Sequence, residues 1–199
     1  MQELIREKNR LRQYYKSLRL GISPQIKAEA DNGIFLSAVQ FLKDTAPSQV
    51  LCYVSSPPVE ADTRQLLSYL LDCGTETAVP LCIKGTNDMV FYRITSMSQL
   101  KKGYFGIEEP DAVSCIPVEI CEDSVCFVPG LAFDEGHYRI GFGKGFYDKF
   151  LASYRGISAG ICPEYCLERS LPHEIHDMAV DYVITDKKIM YKYNKHGEV

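Results

Sequence analysis

No stretch of the 199-residue chain approaches the roughly 18–20 consecutive apolar residues that a bilayer-spanning helix needs. The charged opening MQELIREKNRLR lacks the apolar region of a secretory signal. The expectation is a protein with no membrane partner that stays where it is made, in the cytoplasm. Excess positive charge is missing as well: 22 Lys and Arg stand against 26 Asp and Glu, for a formal net charge of −4 and a pI near 5.6. A chain whose main task is neutralising the phosphates of a nucleic acid needs the opposite balance, so any anionic ligand must meet a local basic site. The eight cysteines include no CxxC pair. Cys52, Cys82, Cys126 and Cys162 sit in apolar, strand-like runs and read as reduced thiols. Only Cys162 with Cys166 approaches the short spacing that structural zinc requires. Internal repeats, low-complexity tracts and linkers are also missing.

What is present is ordinary globular composition, 46% hydrophobic and 24% charged, with apolar residues spread along the chain. One core and one domain over residues 1–199 are expected, with a polar tail from 192 to 199. Residues 2–20 carry Leu4, Ile5, Leu11, Tyr15 and Leu18 at near-helical spacing, with Gly21 where a helix would stop. Ser23 and Pro24 then supply an N-cap and a first helical position for a second helix, ending near Ala46 and Pro47. The run VLCYV at 50–54 reads as a central strand covered on both faces, followed by the loop SSPPVE with Glu60 at the strand's C-terminal end. Asp62 or Thr63 can cap the helix TRQLLSYLLDC, which Gly74 ends. Further strands are expected at 76–82, 89–94, 124–128, 157–161 and 182–185. Strands alternating with helices imply an α/β fold: an open, largely parallel twisted sheet with helices on both faces and ligand sites at the strands' C-terminal ends.

The segment VPGLAFDEGHYRIGFGKGFYDKFL, residues 128–151, starts where a buried strand ends and finishes in a helix-compatible run. Its glycines at 130, 136, 141, 143 and 145 let backbone amides approach an anion, and Lys144 adds a charge inside the loop. GFGKGF is neither a GxxxxGK[ST] P-loop nor a GxGxxG fingerprint. On spacing alone it fits phosphate binding and a purely steric strand-to-helix turn equally well. On the first helix, steps of 100° per residue bring Lys8, Arg12 and Arg19 within about 40° of one face, a basic stripe able to meet phosphates. A solvated face is the commoner reading of such a stripe.

The run PGLAFDEGHYRIGFGKGFYDKFL resembles the signature of the 5-formyltetrahydrofolate cyclo-ligase family, also called methenyltetrahydrofolate synthetases. KNRLR, YVSSPPVEADTRQLL, GIEEP and LPHEIHDMAVDYVIT resemble family segments in the expected order. The resemblance implies a three-layer, Rossmann-like fold similar to ribose-5-phosphate isomerases and CoA-transferases. It also implies ATP-dependent closure of a folate's formyl group into a methenyl bridge. By the same resemblance Lys8 and Arg12 contact ATP, and Arg139 to Tyr147 form the nucleotide loop, with Gly141, Gly143, Lys144 and Gly145 around the phosphates. Lys144 neutralises the γ-phosphoryl group in transit, and Asp148 and Asp177 hold Mg2+, with Asp181 as competitor for the second place. Glu60 contacts the reduced folate beside the formyl group, Ser55 lines the same pocket, and Phe142 and Phe146 touch the substrate.

Family members commonly carry two tyrosines before the aspartate, whereas this chain has Phe146 and Tyr147, so one substrate hydrogen bond is lost while ring stacking remains available. Phe142 stands where some relatives have a basic residue, a change that bears on affinity for a polyglutamate tail. His173, His176 and Asp177 form HxxHD, which lacks the spacing of a zinc protease motif and fits a loop near the nucleotide. His137 reads as a turn-surface residue or a phosphate contact. Two rivals stay open: a sugar-phosphate isomerase or CoA-transferase-like enzyme on the same kind of sheet, and a non-catalytic folate or nucleotide binder. An active monomer is expected.

Overall fold

The structure, a computed structural model, describes residues 2–103 and 106–192, so most of the expected polar tail lies outside the described residues. In chain order the first half forms α1 (Gln2–Gly21), α2 (Pro24–Thr45), β1 (Gln49–Cys52), α3 (Arg64–Asp72), β2 (Glu76–Cys82), β3 (Met89–Ile94), β4 (Leu100–Lys102), β5 (Glu108–Pro110) and β6 (Ile116–Pro117). The second half forms β7 (Val125–Pro129), β8 (Ala132–Asp134), β9 (Arg139–Ile140), α4 (Phe146–Leu151), β10 (Ile157–Ile161), β11 (Leu167–Glu168), β12 (Tyr182–Ile184) and β13 (Ile189–Tyr191).

Local chemistry sets the boundaries. The Ser23 hydroxyl accepts from the Ile26 amide at 3.3 Å with Pro24 behind it, and α2 ends on Ala46 in a left-handed conformation, φ 43°. At α3 the capping acceptor is the Asp62 carboxylate, 2.9 Å from the Arg64 amide, because the Thr63 hydroxyl donates instead to the Tyr53 carbonyl at 2.7 Å. Gly74 follows α3 at φ 71°, a backbone that glycine adopts without a Cβ clash.

Among the described residues the main sheet has eight strands in the order β13-β12-β10-β7-β1-β2-β3-β6. The block from β12 to β2 is parallel, and antiparallel β13, β3 and β6 lie outside it. Alternation along the strands covers both faces. Val50, Cys52, Val125, Phe127 and Ala159 pack with Ile34, Phe41, Leu66 and Leu70 of α2 and α3. Leu51, Cys126, Val128 and Val183 pack with Tyr15 of α1, Leu151 of α4, and Phe133 and Ile140 of a small sheet ordered β11-β8-β9. The chain leaves β1 toward β2 on one side and later adds β7 on the other, so the sheet's direction of growth reverses at β1 and opens a crevice at the strands' C-terminal ends.

Two expectations change. The strand expected at 50–54 ends at Cys52, since Tyr53 begins the turn that Thr63 ties down. The glycine segment is not a direct strand-to-helix turn, because the β8–β9 hairpin interrupts it. Its closing helix, α4, has only six residues, so loop amides and side chains, more than a helix dipole, must meet an anion there.

Candidate active site

A cleft of about 1210 Å³ lies at the C-terminal ends of β1, β2 and β7. Its floor and one wall come from Ser56 to Glu60 and from Pro129, its other wall from the glycine loop and α4, and its rim from α1 and residues 174–178. The two segments that carry the family-like motifs therefore face each other across one opening.

The glycine loop joins β9 to α4. Gly143 and Gly145 have φ of 86° and 71°, where a Cβ is strained. Arg12 of α1 lies on this loop, donating from Nε to the Gly141 carbonyl at 3.0 Å, and a Cβ at Gly143 would sit 3.1 Å from the same Nε. Lys144 and Phe142 are exposed on the loop and line the cleft, with the Lys16 ammonium 5.4 Å from the centre of the Phe142 ring. Phe146 and Tyr147 line it from the start of α4. The Tyr147 hydroxyl is buried with no hydrogen-bond partner among the described residues, and burial pushes it well above the usual phenol range.

Both candidate metal carboxylates line the cleft, and both are already paired with cations. Asp148 accepts on Oδ1 from Arg139 at 2.8 Å and from the Met178 amide at 3.1 Å, while Arg139 also donates to the Met178 carbonyl at 2.9 Å. Asp177 accepts on Oδ2 from Lys8 and from the Glu174 amide, and Lys8, 6% exposed, also donates to Glu174 at 3.0 Å. Burial opposes the charge of Asp177, but its bonds from Lys8 and the Glu174 amide together hold it below the ordinary carboxylate value. Asp181 is elsewhere: its Oδ2 accepts from the Ser158 amide and hydroxyl at 2.8 and 2.6 Å, tying β12 to β10. Among the described residues no cluster of three metal-ligating side chains occurs. Among the described residues Asp148 and Asp177 nonetheless each bear their hydrogen bonds on a single oxygen. That leaves one oxygen apiece, a donor set that suits magnesium, which takes few carboxylates and completes its shell with water and phosphate oxygens.

Glu60 is 9% exposed on the cleft floor. Burial raises its carboxyl from 4.5 to about 6, against the opposing effects of a 2.6 Å bond from the Ser56 amide and of the nearby Arg19 charge.

Three expectations are corrected. Ser55 does not line the cleft: its hydroxyl donates to Asp62 at 2.9 Å and accepts from the Thr63 amide at 3.1 Å, so Ser56 faces the opening instead. Arg19 does not join the phosphate-facing stripe. It is 4% exposed and donates to the carbonyls of Val59, Gly130 and Leu131 at 2.7, 2.9 and 2.8 Å. His137 is neither on the surface nor at a phosphate. It is 2% exposed at φ 66°, with Nδ1 3.2 Å from the Val180 carbonyl and its titration lowered chiefly by burial. Of the HxxHD residues, His173 stacks on Tyr138 at 3.6 Å between ring centres, and the exposed His176 lies 3.6 Å from Glu174. Sequence reasoning missed Ser56, Glu174 and Asn87 on the cleft wall. Two adjacent serines cannot be told apart before the turn is known, and HEIHD draws the eye to its histidines.

A sequence profile described as the 5-formyltetrahydrofolate cyclo-ligase family matches residues 4–186. The chain belongs to that family. A probable 5-formyltetrahydrofolate cyclo-ligase of Schizosaccharomyces pombe is 27% identical over 92% of this chain and 97% of its own length. The 5-formyltetrahydrofolate cyclo-ligase of Escherichia coli K12 is 29% identical over 65% of this chain and 74% of its own. The NMR structure of Aquifex aeolicus 5,10-methenyltetrahydrofolate synthetase superposes with a TM-score of 0.81 at 27% identity, covering 96% of both chains. A methenyltetrahydrofolate synthetase structure from Mycoplasma pneumoniae, TM-score 0.71 at 21% identity, shares the fold. The α/β architecture and the enzyme class are thus those of the cyclo-ligases, acting on a reduced folate.

Proposed function

We propose that this chain, as a single catalytic domain, converts 5-formyltetrahydrofolate and ATP to 5,10-methenyltetrahydrofolate, ADP and phosphate in the cleft between the Glu60 loop and the glycine loop. The observation that carries the reading is that one opening joins a buried carboxylate of raised pKa to a glycine loop with Lys144 and Arg12 beside it. One group is suited to orienting an amide-like substrate, the other to holding polyphosphate.

The formyl carbon is a poor electrophile because nitrogen 5 donates into it. In the proposed reaction the formyl oxygen attacks the γ-phosphorus and ADP leaves, giving an iminium phosphate. Nitrogen 10 then adds to the former formyl carbon and loses its proton, and the carbon–oxygen bond breaks to release phosphate. The protein positions the reactants and stabilises charge, with no covalent nucleophile. Glu60, held by the Ser56 amide, fixes the pterin side and aims the formyl oxygen. Lys144 and Arg12 neutralise the transferring phosphoryl group, with Lys8 beside them and Gly141, Gly143 and Gly145 exposing amides. Phe146 and Phe142 offer ring faces to the folate, while Tyr147 and Arg139 shape the nucleotide side. Asp148 and Asp177 would hold Mg2+, which supplies charge neutralisation on the phosphates when bound.

The enzyme is proposed to be a cytoplasmic monomer; among the described residues no helix is long and apolar enough to cross a membrane. Substrate labelled with oxygen-18 in the formyl group tests the sequence of steps. The label is expected in inorganic phosphate, and its appearance in water instead would exclude phosphorylation of the formyl oxygen.

A further inference from the structure

The two loops that make the floor of the cleft leave different strands, β1 and β7, and one buried cation joins them. Arg19 comes from the last turn of α1, on the core side of the sheet's crevice, and is 4% exposed. One guanidinium nitrogen donates to the Val59 carbonyl at 2.7 Å, in the residue before Glu60. The other donates to the Gly130 and Leu131 carbonyls at 2.9 and 2.8 Å, immediately after Pro129. Val59, Glu60 and Pro129 all line the cleft, and Arg19 does not. No carboxylate lies within ion-pair distance of Arg19 among the described residues, although its charge acts on Glu60.

A buried arginine with no carboxylate partner is costly, and here its two terminal nitrogens reach three carbonyls on two separate loops, a spread an ammonium cannot match, while Nε is buried without a hydrogen-bond partner among the described residues and the Cys166 thiol lies against the guanidinium. We infer that Arg19 is a positioning residue for the reaction: it fixes the separation of the Glu60 loop and the Pro129–Leu131 turn, and so sets where the folate's pterin end sits. It reaches the substrate only through Glu60 and the loop backbones. The inference rests on the proposed role of Glu60.

Other groups also face Glu60 or its loop. Lys27 of α2 donates to the Glu60 carbonyl at 3.2 Å and pairs with Asp31 at 2.6 Å. Tyr53 and Tyr147 lie close enough to be affected by the Glu60 charge, and Asp31 accepts from the Asp62 amide at 3.1 Å. Arg19→Lys keeps the charge and Arg19→Gln removes it, so the difference between the two variants isolates the effect of the Arg19 charge on the Glu60 titration from that of the lost fork.

The test compares Arg19→Lys, which keeps the charge but loses the fork, and Arg19→Gln, which loses the charge, with Glu60→Gln as reference. Steady-state kinetics, pH profiles and thermal unfolding are measured on each. Arg19→Lys is expected to raise KM for 5-formyltetrahydrofolate at least tenfold while changing KM for ATP less than threefold. Arg19→Gln is expected in addition to move the acid limb of kcat/KM to higher pH, because the neighbouring positive charge that favours ionised Glu60 is gone. If the variants unfold at lower temperature but keep wild-type KM values and acid limbs, Arg19 is only structural and the inference is overturned. If Glu60→Gln leaves folate KM and the acid limb unchanged, the reading of Glu60 itself fails, whatever Arg19 does. Should neither Arg19 variant fold, the guanidinium NMR signals of Arg19 in the wild type decide. A shift on saturation with 5-formyltetrahydrofolate but not with MgATP is expected, and the absence of any shift overturns the inference.

Discussion

The Lys8 ammonium on α1 donates to Asp177 and to Glu174, so a residue expected to meet ATP and a residue expected to meet magnesium are paired with each other. Both partners line the cleft.

Lys8→Ala is accordingly expected to act on both stability and binding. It leaves two partly buried carboxylates beside each other, at a cost of about 3 kcal/mol, the low end for breaking a buried pair. Lys8→Ala combined with Asp177→Asn recovers part of that loss. Chemical denaturation of the two single variants and the double variant measures the coupling, and strictly additive values would contradict the pairing.

Gly143→Ala and Gly141→Ala separate backbone need from open space in the same loop. At Gly143 a Cβ meets Arg12 at 3.1 Å on a backbone of φ 86°, whereas at Gly141 nothing lies within 4 Å. The first substitution is expected to cost about 1–2 kcal/mol and to weaken MgATP binding by displacing Arg12. The second leaves stability within about 0.5 kcal/mol. Thermal unfolding with isothermal titration of MgATP reads both.

Glu60 makes the fold less stable at neutral pH. Its folded pKa of about 6 exceeds the ordinary 4.5, so the unfolded chain gives up this proton first. Stability falls as pH rises through that window, by roughly 2 kcal/mol at 1.36 kcal/mol per unit, and the loss is complete above it. Glu60→Gln is expected to be more stable than wild type at pH 7.5, equal to it at pH 4, and severely impaired in turnover. Denaturant melts at the two pH values check the sign.

His137 acts in the opposite direction. Burial lowers its folded titration below 6.5, so stability is complete above that pH and declines as pH falls below it, where the unfolded chain takes up the proton first. His137→Asn keeps a residue that tolerates the left-handed backbone and removes the titration. Its melting temperature should depend less on acid than that of wild type.

Periodicity and turn chemistry made much of the scaffold legible. Ser23, Pro24 and Gly74 marked helix ends, and the strands at 76–82, 89–94 and 157–161 occur where β-branched and apolar runs placed them. Two- and three-residue strands such as β8, β9 and β13 carry too few residues for any period, so the hairpin inside the glycine segment was invisible. The residue types of the site were legible from the motif, but their partners were not. Nothing local distinguishes Arg12, which rests on the glycine loop, from Arg19, seven residues on, which lies in the core gripping three carbonyls. Helical phase places both on one side, and only the sheet behind α1 decides which is buried. His137 was misread for a similar reason, since a turn residue is covered here by Val180 from a segment far along the chain.

The central claim is that the Glu60 loop and the glycine loop form one site for ATP-driven ring closure. Its most direct test is the near-ultraviolet absorbance of the methenyl product after mixing the protein with 5-formyltetrahydrofolate, ATP and Mg2+. The account predicts a rise that requires all four components and is abolished both in Lys144→Ala, on the glycine loop, and in Glu60→Ala, on the facing loop. A rise that persists without ATP, or undiminished in either variant, would contradict it.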